Sequence, residues 1–266
     1  MPETLKIVAI GAGNVAHHLI PALHNMGCDI VQVYSKSIYN ANNLAHRVSA
    51  NGTDSIKQLN DTADLYLLMV KDDAIADVCG KMEKLKATQC LAHTSGATEI
   101  DVLKSCAENY GSFYPLESFR KKQSKNLRKT PMLIHGNNDF TKRMLRMSAR
   151  RISDVVQMCS DEERLKYHVS AVFINNFTNH LACLAQEYLI SNDLDPAMLN
   201  PITHSTFEKI INVEACDSQT GPAVREDLKL MRKHLHLIKD EAIMKNLYRL
   251  LSDSIIQQKK KHNENS

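Results

Sequence analysis

Apolar residues in the first half of the chain come in short, continuous runs separated by stretches of helical period. Leu5 to Ile10 is the first run, Ile30 to Tyr34 the second and Leu65 to Val70 another; Cys90 to Ala92, Ser112 to Phe113 and Met132 to Ile134 follow. A run without polar alternation is what a parallel strand covered on both faces requires. Residues 14–26 read as a helix ended by Gly27. Pro21 breaks a local rule inside it, since the ring removes the bond to the His17 carbonyl and costs about 3 kcal/mol or bends the helix. Strands spaced by helices make βαβ units, so a doubly wound, mostly parallel sheet is expected. Strand signals stop after about residue 159. Residues 161–190, 196–213, 222–239 and 240–258 read as helices, with Pro196 and Pro222 near helix starts. The pattern therefore predicts an α/β domain over 1–158 and an all-helical domain over 159–266.

Composition narrows the function classes. Lys plus Arg is 33 against 30 acidic residues, a formal charge of +3, too even for a nucleic-acid or phospholipid surface. The basic run KKKHN near the chain end reads as a frayed, solvated tail. Seven cysteines are scattered without a CxxC pair, so neither a disulfide framework nor a metal site is expected. The opening MPETLKIVAIGAG lacks the apolar stretch of a signal peptide, and no run approaches the ~20 apolar residues of a spanning helix. A soluble, reduced, cytoplasmic protein without nucleic-acid or membrane partners is the expectation.

The stretch KIVAIGAGNVA carries G-x-G-x-x-A after a strand and at the start of a helix. Gly11 permits a tight turn, Gly13 lets the backbone approach a diphosphate, and Ala16 lets the helix pack on the sheet; the amides about Asn14 and Val15 then hold the anion. This is the pattern of a Rossmann-type dinucleotide domain. The second strand selects the coenzyme. An NAD site ends that strand with an acid for the ribose 2′-OH, whereas here the strand runs into Ser35, Lys36 and Ser37. Two hydroxyls and an ammonium match a 2′-phosphate, so NADP is the expected cofactor. At the end of the fourth strand Val70 and Lys71 are expected beneath the cofactor, with Asp72 and Asp73 as helix caps.

Substrate chemistry is sought at the carboxyl ends of the next strands. The fifth ends in HTSGA, where His93 is a candidate proton donor near neutral pH. Ser95 is a candidate substrate ligand or, with Thr98, only a helix cap. Tyr114, before Pro115, is a candidate hydrogen-bond donor or a packing aromatic. Residues 167–186 contain no charged side chain, as a helix enclosed by protein would. At 100° per residue, His168, Val172, Asn175 and Asn179 share one arc of it, which makes His168 and Asn175 candidate site residues. Ser218 to Arg225 reads as a loop entering a helix at Pro222, with Arg225 one turn in, suited to a carboxylate.

The ordered set GAGNVA, VYSKS, HTSGA, YPLESF, YH…NNF and TGPAVRED resembles the Rossmann-type NADP oxidoreductase-like proteins that carry a helical C-terminal domain of unknown function. That family is similar to pyrroline-5-carboxylate reductases, 6-phosphogluconate-type dehydrogenases and deazaflavin-dependent NADP oxidoreductases. The resemblance spans roughly residues 5–250. It implies an NADP-binding domain, a helical domain that often dimerises and a site between them. Two motifs depart from the family pattern: Tyr114-Pro115-Leu116-Glu117-Ser118-Phe119 stands where the family often has His-Pro-Leu-Gln-Thr-Phe, and Glu226 where its TGPAxRGD pattern has glycine. Residues and resemblance together predict an NADP(H)-dependent oxidoreductase acting on a small polar metabolite with a C=O or C=N bond, as a homodimer through its helical domain. The rival reading is a non-catalytic NADP-binding sensor.

Overall fold

The computed structural model describes residues 4–121, 123 and 125–264. The chain divides into two compact units, residues 1–176 and 177–266. The sequence had placed the division where the strand signals stop, near residue 158; by packing it falls later.

The first unit is built on an eight-stranded sheet in the order β3-β2-β1-β4-β5-β6-β7-β8. The strands are β1 (Lys6–Ile10), β2 (Asp29–Tyr34), β3 (Asn51–Thr53), β4 (Leu65–Leu68), β5 (Cys90–His93), β6 (Asn109–Pro115), β7 (Met132–Gly136) and β8 (Val156–Met158). All pairs are parallel except β6 with β7. Alternate residues of one strand serve opposite faces. Ile7 and Ala9 of β1 join Leu65, Leu67, Ala92 and Phe113 in one core, while Val8 and Ile10 join Tyr66, Leu68 and Leu91 in the other. The first face is covered by α1 (Ala16–Asn25), α2 (Ile38–His46) and α4 (Asp139–Ile152), the second by α3 (Ile75–Lys81) and short 3-10 turns. Helix α1 continues through Pro21.

Order 2-1-4 at the centre means that the chain leaves β1 and β4 in opposite directions across the sheet. The crevice at the carboxyl ends of those strands is where an open α/β sheet receives ligands. After β8, α5 (Asp161–Ala171) starts with a capping box, Ser160 and Glu163 each bonding the other's backbone amide.

A π-helical segment, Val172–Phe177, follows, and the boundary between the units lies inside it. The single helix expected over 161–190 is thus interrupted. A π turn bonds i to i+5, so each residue advances by less than 100°, and the arc expected to align His168 with Asn175 and Asn179 does not persist.

The second unit contains α6 (Thr178–Ser191), α7 (Asn200–Asn212), α8 (Leu228–Leu237) and α9 (Ala242–Glu264). Two expectations change here. Pro222 does not open a helix: residues 221–226 form turns with positive φ at Gly221 and Glu226, and Asp227 caps α8 instead, its side chain accepting from Leu230 N–H. Exposed Arg225 therefore stands outside any helix. The basic run near the end is helical through Glu264 rather than frayed, with Lys259 Nζ donating to the Val224 carbonyl at 2.7 Å. No helix among the described residues is long and apolar enough to cross a membrane.

Candidate functional site

The loop from β1 to α1 needs its first glycine for shape. Gly11 has φ +116°, a region disfavoured for side chains, and a Cβ there would lie 2.3 Å from the Met69 carbonyl oxygen. Gly13 differs. A Cβ on it would meet only Met69 O, at an ordinary 3.8 Å, so its bareness serves the space outside the loop. The N–H groups of Ala12, Gly13, Asn14 and Val15 have no acceptor among the described backbone groups, and no acidic residue stands in the first turn of α1. Unpaired amides at a helix start form an anion seat.

These residues open onto a cavity of about 380 Å³. Its lining joins Gly11 to Gly13 with Tyr34, Ser35 and Lys36 from the end of β2, Asn40 from α2, Met69 to Lys71 from the end of β4, Ala74 and Val78. The sequence-predicted Ser35, Lys36, Val70 and Lys71 are thus brought together. Three ammonium groups, Lys36, Lys71 and Lys121, line it without a carboxylate among the described lining residues. The donor set fits a nicotinamide dinucleotide: backbone amides for the diphosphate, apolar walls for a base, and excess positive charge. Ser37 has a different task, since its oxygen caps α2 by accepting from Asn40 N–H. Asp72 and Asp73 are not side-chain caps; they lie within a 3-10 turn whose N-cap is Lys71.

Farther along the strand ends, the candidate acid-base groups separate by burial. His93 is fully buried, and its Nδ1 accepts from Ser95 N–H at 3.2 Å, so the proton sits on Nε2, which has no partner. Burial first, and the Arg164 guanidinium next, push its pKa down to about 4. His93 is therefore neutral at pH 7, and the proton-donor reading of this residue does not survive its surroundings. Ser95 closes the turn after β5, accepting from Ala97 and Thr98 N–H at 3.1 and 3.0 Å and donating to Thr98 Oγ1 at 2.9 Å; it caps no helix, since the 3-10 turn that follows has Glu99 at its N-cap. Asn175 lies exposed in the π segment.

His168 is half-buried on α5 and meets Tyr114 of β6, with 3.0 Å between Nδ1 and Oη and the rings at 78°. Burial, then the negative charge of Asp72, raises the Tyr114 pKa, while Arg164 opposes the shift. The phenol keeps its proton. Asp72 adjoins Lys71 of the cavity lining, so the Tyr114–His168 pair belongs to the same rim of strand ends. Beneath it Arg164, buried on α5, donates to Ser112 Oγ at 2.8 Å, to Asp161 Oδ1 at 2.6 Å and to the Thr98 carbonyl. Asp161 also accepts from Ile100 N–H at 3.0 Å and pairs with His135. This network fixes α5, and with it His168, against the ends of β5 and β6.

Sequence reasoning passed over Lys121, Arg164 and Gly96. The only signal for Lys121 was the basic run beginning at Arg120. Arg164 was unmarked within a helix rich in charge, and Gly96 was read only as part of HTSGA.

Comparison with known proteins agrees with this geometry. Residues 1–116 match a Rossmann-like domain profile, and residues 130–255 match the profile of a domain of unknown function, DUF2520. A Bacteroides fragilis structure, described provisionally as an NADP oxidoreductase, is 34% identical, with 96% of this chain and 99% of that one covered and a TM-score of 0.89. A pyrroline-5-carboxylate reductase from Streptococcus pyogenes shares 14% identity over 97% of this chain and 100% of its own, with a TM-score of 0.64. An imine reductase from Myxococcus stipitatus in complex with NADP+ shares 12% identity over 98% of this chain and 95% of its own, with a TM-score of 0.61; a variant of it is known in complex with NAD+. These last two show the fold alone. No curated protein sequence matches. With a Rossmann-like domain, a DUF2520 domain and a 34%-identical relative over nearly its full length, the chain belongs to the Rossmann-type NADP oxidoreductase-like proteins with a helical DUF2520 domain.

Proposed function

We propose that this protein is an NADPH-dependent reductase acting on the C=N or C=O bond of a small polar metabolite. The observation that carries the reading is the shared rim: a lysine-lined, carboxylate-free cavity at the glycine loop, and a hydrogen-bonded Tyr114–His168 pair at the ends of β5 and β6. The relatives point the same way, since the Bacteroides fragilis protein is described as an NADP oxidoreductase, and pyrroline-5-carboxylate and imine reductases share the fold. Because the imine reductase fold is known with both coenzymes, selection has to come from this chain's own side chains. Lys36 and Ser35, in place of an acid, favour a 2′-phosphate.

When bound, the coenzyme supplies hydride. The amides of Ala12 to Val15 hold its diphosphate, and Lys71 adds positive charge beside it. His168 carries the proton for the substrate nitrogen or oxygen on Nε2. Its Nδ1–H donates to the Tyr114 oxygen in the charged form, which fixes the ring plane and leaves Nε2 free to face a substrate. Tyr114 thus acts as the orienting partner. His93 and Ser95 build the floor.

A homodimer through the helical unit belongs to this proposal. Ile190, Met198, Ile202, Ile211 and Leu250 are 61–78% exposed in the single chain, and Tyr167, Val169, Phe173 and Ile174 of the charge-free stretch 167–186 are exposed too, more apolar surface than a soluble monomer usually shows. A second copy is the occupant that would enclose that stretch; sedimentation velocity is expected to give twice the 30.0 kDa chain mass. Five buried free thiols suit a reducing compartment such as the cytoplasm.

The reaction is tested by following NADPH absorbance with a panel of cyclic imines, keto acids and aldehydes. Turnover with at least one class is expected, and His168→Ala should lose it while still binding NADPH. Unchanged turnover in His168→Ala would overturn the assignment.

A further inference from the structure

The segment that follows β6 leaves the sheet and is drawn onto α1. His18, buried on α1, stacks on Phe119 with 4.8 Å between ring centroids and 29° between planes. Its Nε2–H donates to the Arg120 carbonyl at 3.0 Å. These two contacts hold successive residues of the segment, and the next residue, Lys121, lines the dinucleotide cavity together with Ser35, Lys36 and Asn40. The same ammonium reaches the first turn of α1: burial lowers the His17 pKa, and the charges of Lys121 and Arg47 lower it further.

The cavity offers two kinds of anion seat. At the start of α1, unpaired amides suffice for a diphosphate. A phosphate monoester near the end of β2 meets the start of α2, where Ser37 already takes the Asn40 amide, and the rest of its charge has to be met by side-chain cations. One exposed ammonium on a loop, as at Lys36, binds weakly against water. A second, held from a separate element, makes a clamp.

We propose that Lys121 is the second ligand of the coenzyme 2′-phosphate, closing on it with Lys36, and that His18 is the positioning residue that holds Lys121 there through Phe119 and Arg120. This rests on the reading of the cavity as the NADPH site and deepens it. Coenzyme choice would then be set partly by the segment after β6, outside the glycine loop and β2 on which the dinucleotide pattern is built.

The test is calorimetric titration of the full-length protein with NADPH and with NADH, in wild type, Lys121→Gln and His18→Ala. Lys121 is exposed, so its variant should fold normally. Loss of one charge-assisted contact should weaken NADPH binding about tenfold and NADH less than twofold. His18→Ala should lower the NADPH-to-NADH preference in the same direction while retaining the far-ultraviolet spectrum. Equal weakening for both coenzymes, or no weakening for either, would overturn the clamp, and an unchanged preference in His18→Ala would remove the positioning role. Wild type binding neither coenzyme would instead defeat the underlying reading and the clamp with it.

Discussion

Tyr114 Oη stands 3.0 Å from His168 Nδ1, and both side chains close over a position that has room only for glycine. A Cβ on Gly96 would lie 2.6 Å from His168 Nδ1 and 2.9 Å from Tyr114 Cζ. The pair is thereby locked between β5, β6 and α5. Gly96→Ala should force the rings apart and lower kcat by about tenfold or more, since ångström displacements of reacting groups cost such factors. NADPH affinity should stay within about twofold. Steady-state kinetics with calorimetry separates the two effects; unchanged kcat would show that the pair takes no part in turnover.

The two glycines of the first loop should fail differently when replaced by alanine. Gly11→Ala meets both a positive φ and the Met69 carbonyl, and should destabilise the fold by about 1–3 kcal/mol. Gly13→Ala has room within the protein. It should melt near the wild-type temperature yet bind dinucleotide much more weakly, because the added methyl fills space meant for the ligand. Differential scanning fluorimetry with and without NADPH reads both outcomes at once.

Acid should weaken the fold through His93 before the carboxylates titrate. Its folded pKa is about 4, against an ordinary value of 6.5, so the unfolded chain binds the extra proton first. Stability is then full above about pH 6.5 and falls as pH drops toward 4, by an amount on the order of 3 kcal/mol. Asp161 shifts stability in the same direction. Desolvation opposes its ionisation, yet the His135, Ile100 and Arg164 contacts outweigh it and hold the carboxyl below its usual range. Its contribution is lost only at lower pH. Urea midpoints between pH 7 and pH 5 should fall in wild type and fall less in His93→Asn, after allowance for the variant's lower starting stability.

Glu226 carries φ +52° on the turn before α8, in the left-handed region that costs a side-chain-bearing residue about 1 kcal/mol. Glycine, which the family pattern has at this position, removes that cost. Glu226→Gly should raise stability by about 0.5 kcal/mol after the added freedom of the unfolded chain is counted. The urea midpoint of the purified variant checks it.

The central sheet was legible because its strands are buried on both faces, which leaves unbroken apolar runs such as Leu5–Ile10. Strands β3 and β8 carry no such run: Asn51–Thr53 and Val156–Met158 are three residues each at the ends of the sheet order, and pairing rather than composition makes them strands. The glycine loop and Lys36 were legible because their chemistry is local. Lys121 was not, because its place is set by His18, a residue 103 positions away. The π segment escaped because a shift from i+4 to i+5 bonding leaves no mark in polarity. Pro222 misled for a related reason: its ring suits a helix start, but the positive φ values of Gly221 and Glu226 bend the chain into turns first.

The most direct measurement of the central claim is calorimetric titration of the purified protein with NADPH at neutral pH and moderate salt. Saturable binding of one coenzyme per chain, tighter than NADH and lost in Gly13→Ala, is the predicted result. No heat of binding at millimolar NADPH, or equal affinity for NADPH and NADH in wild type, would contradict it.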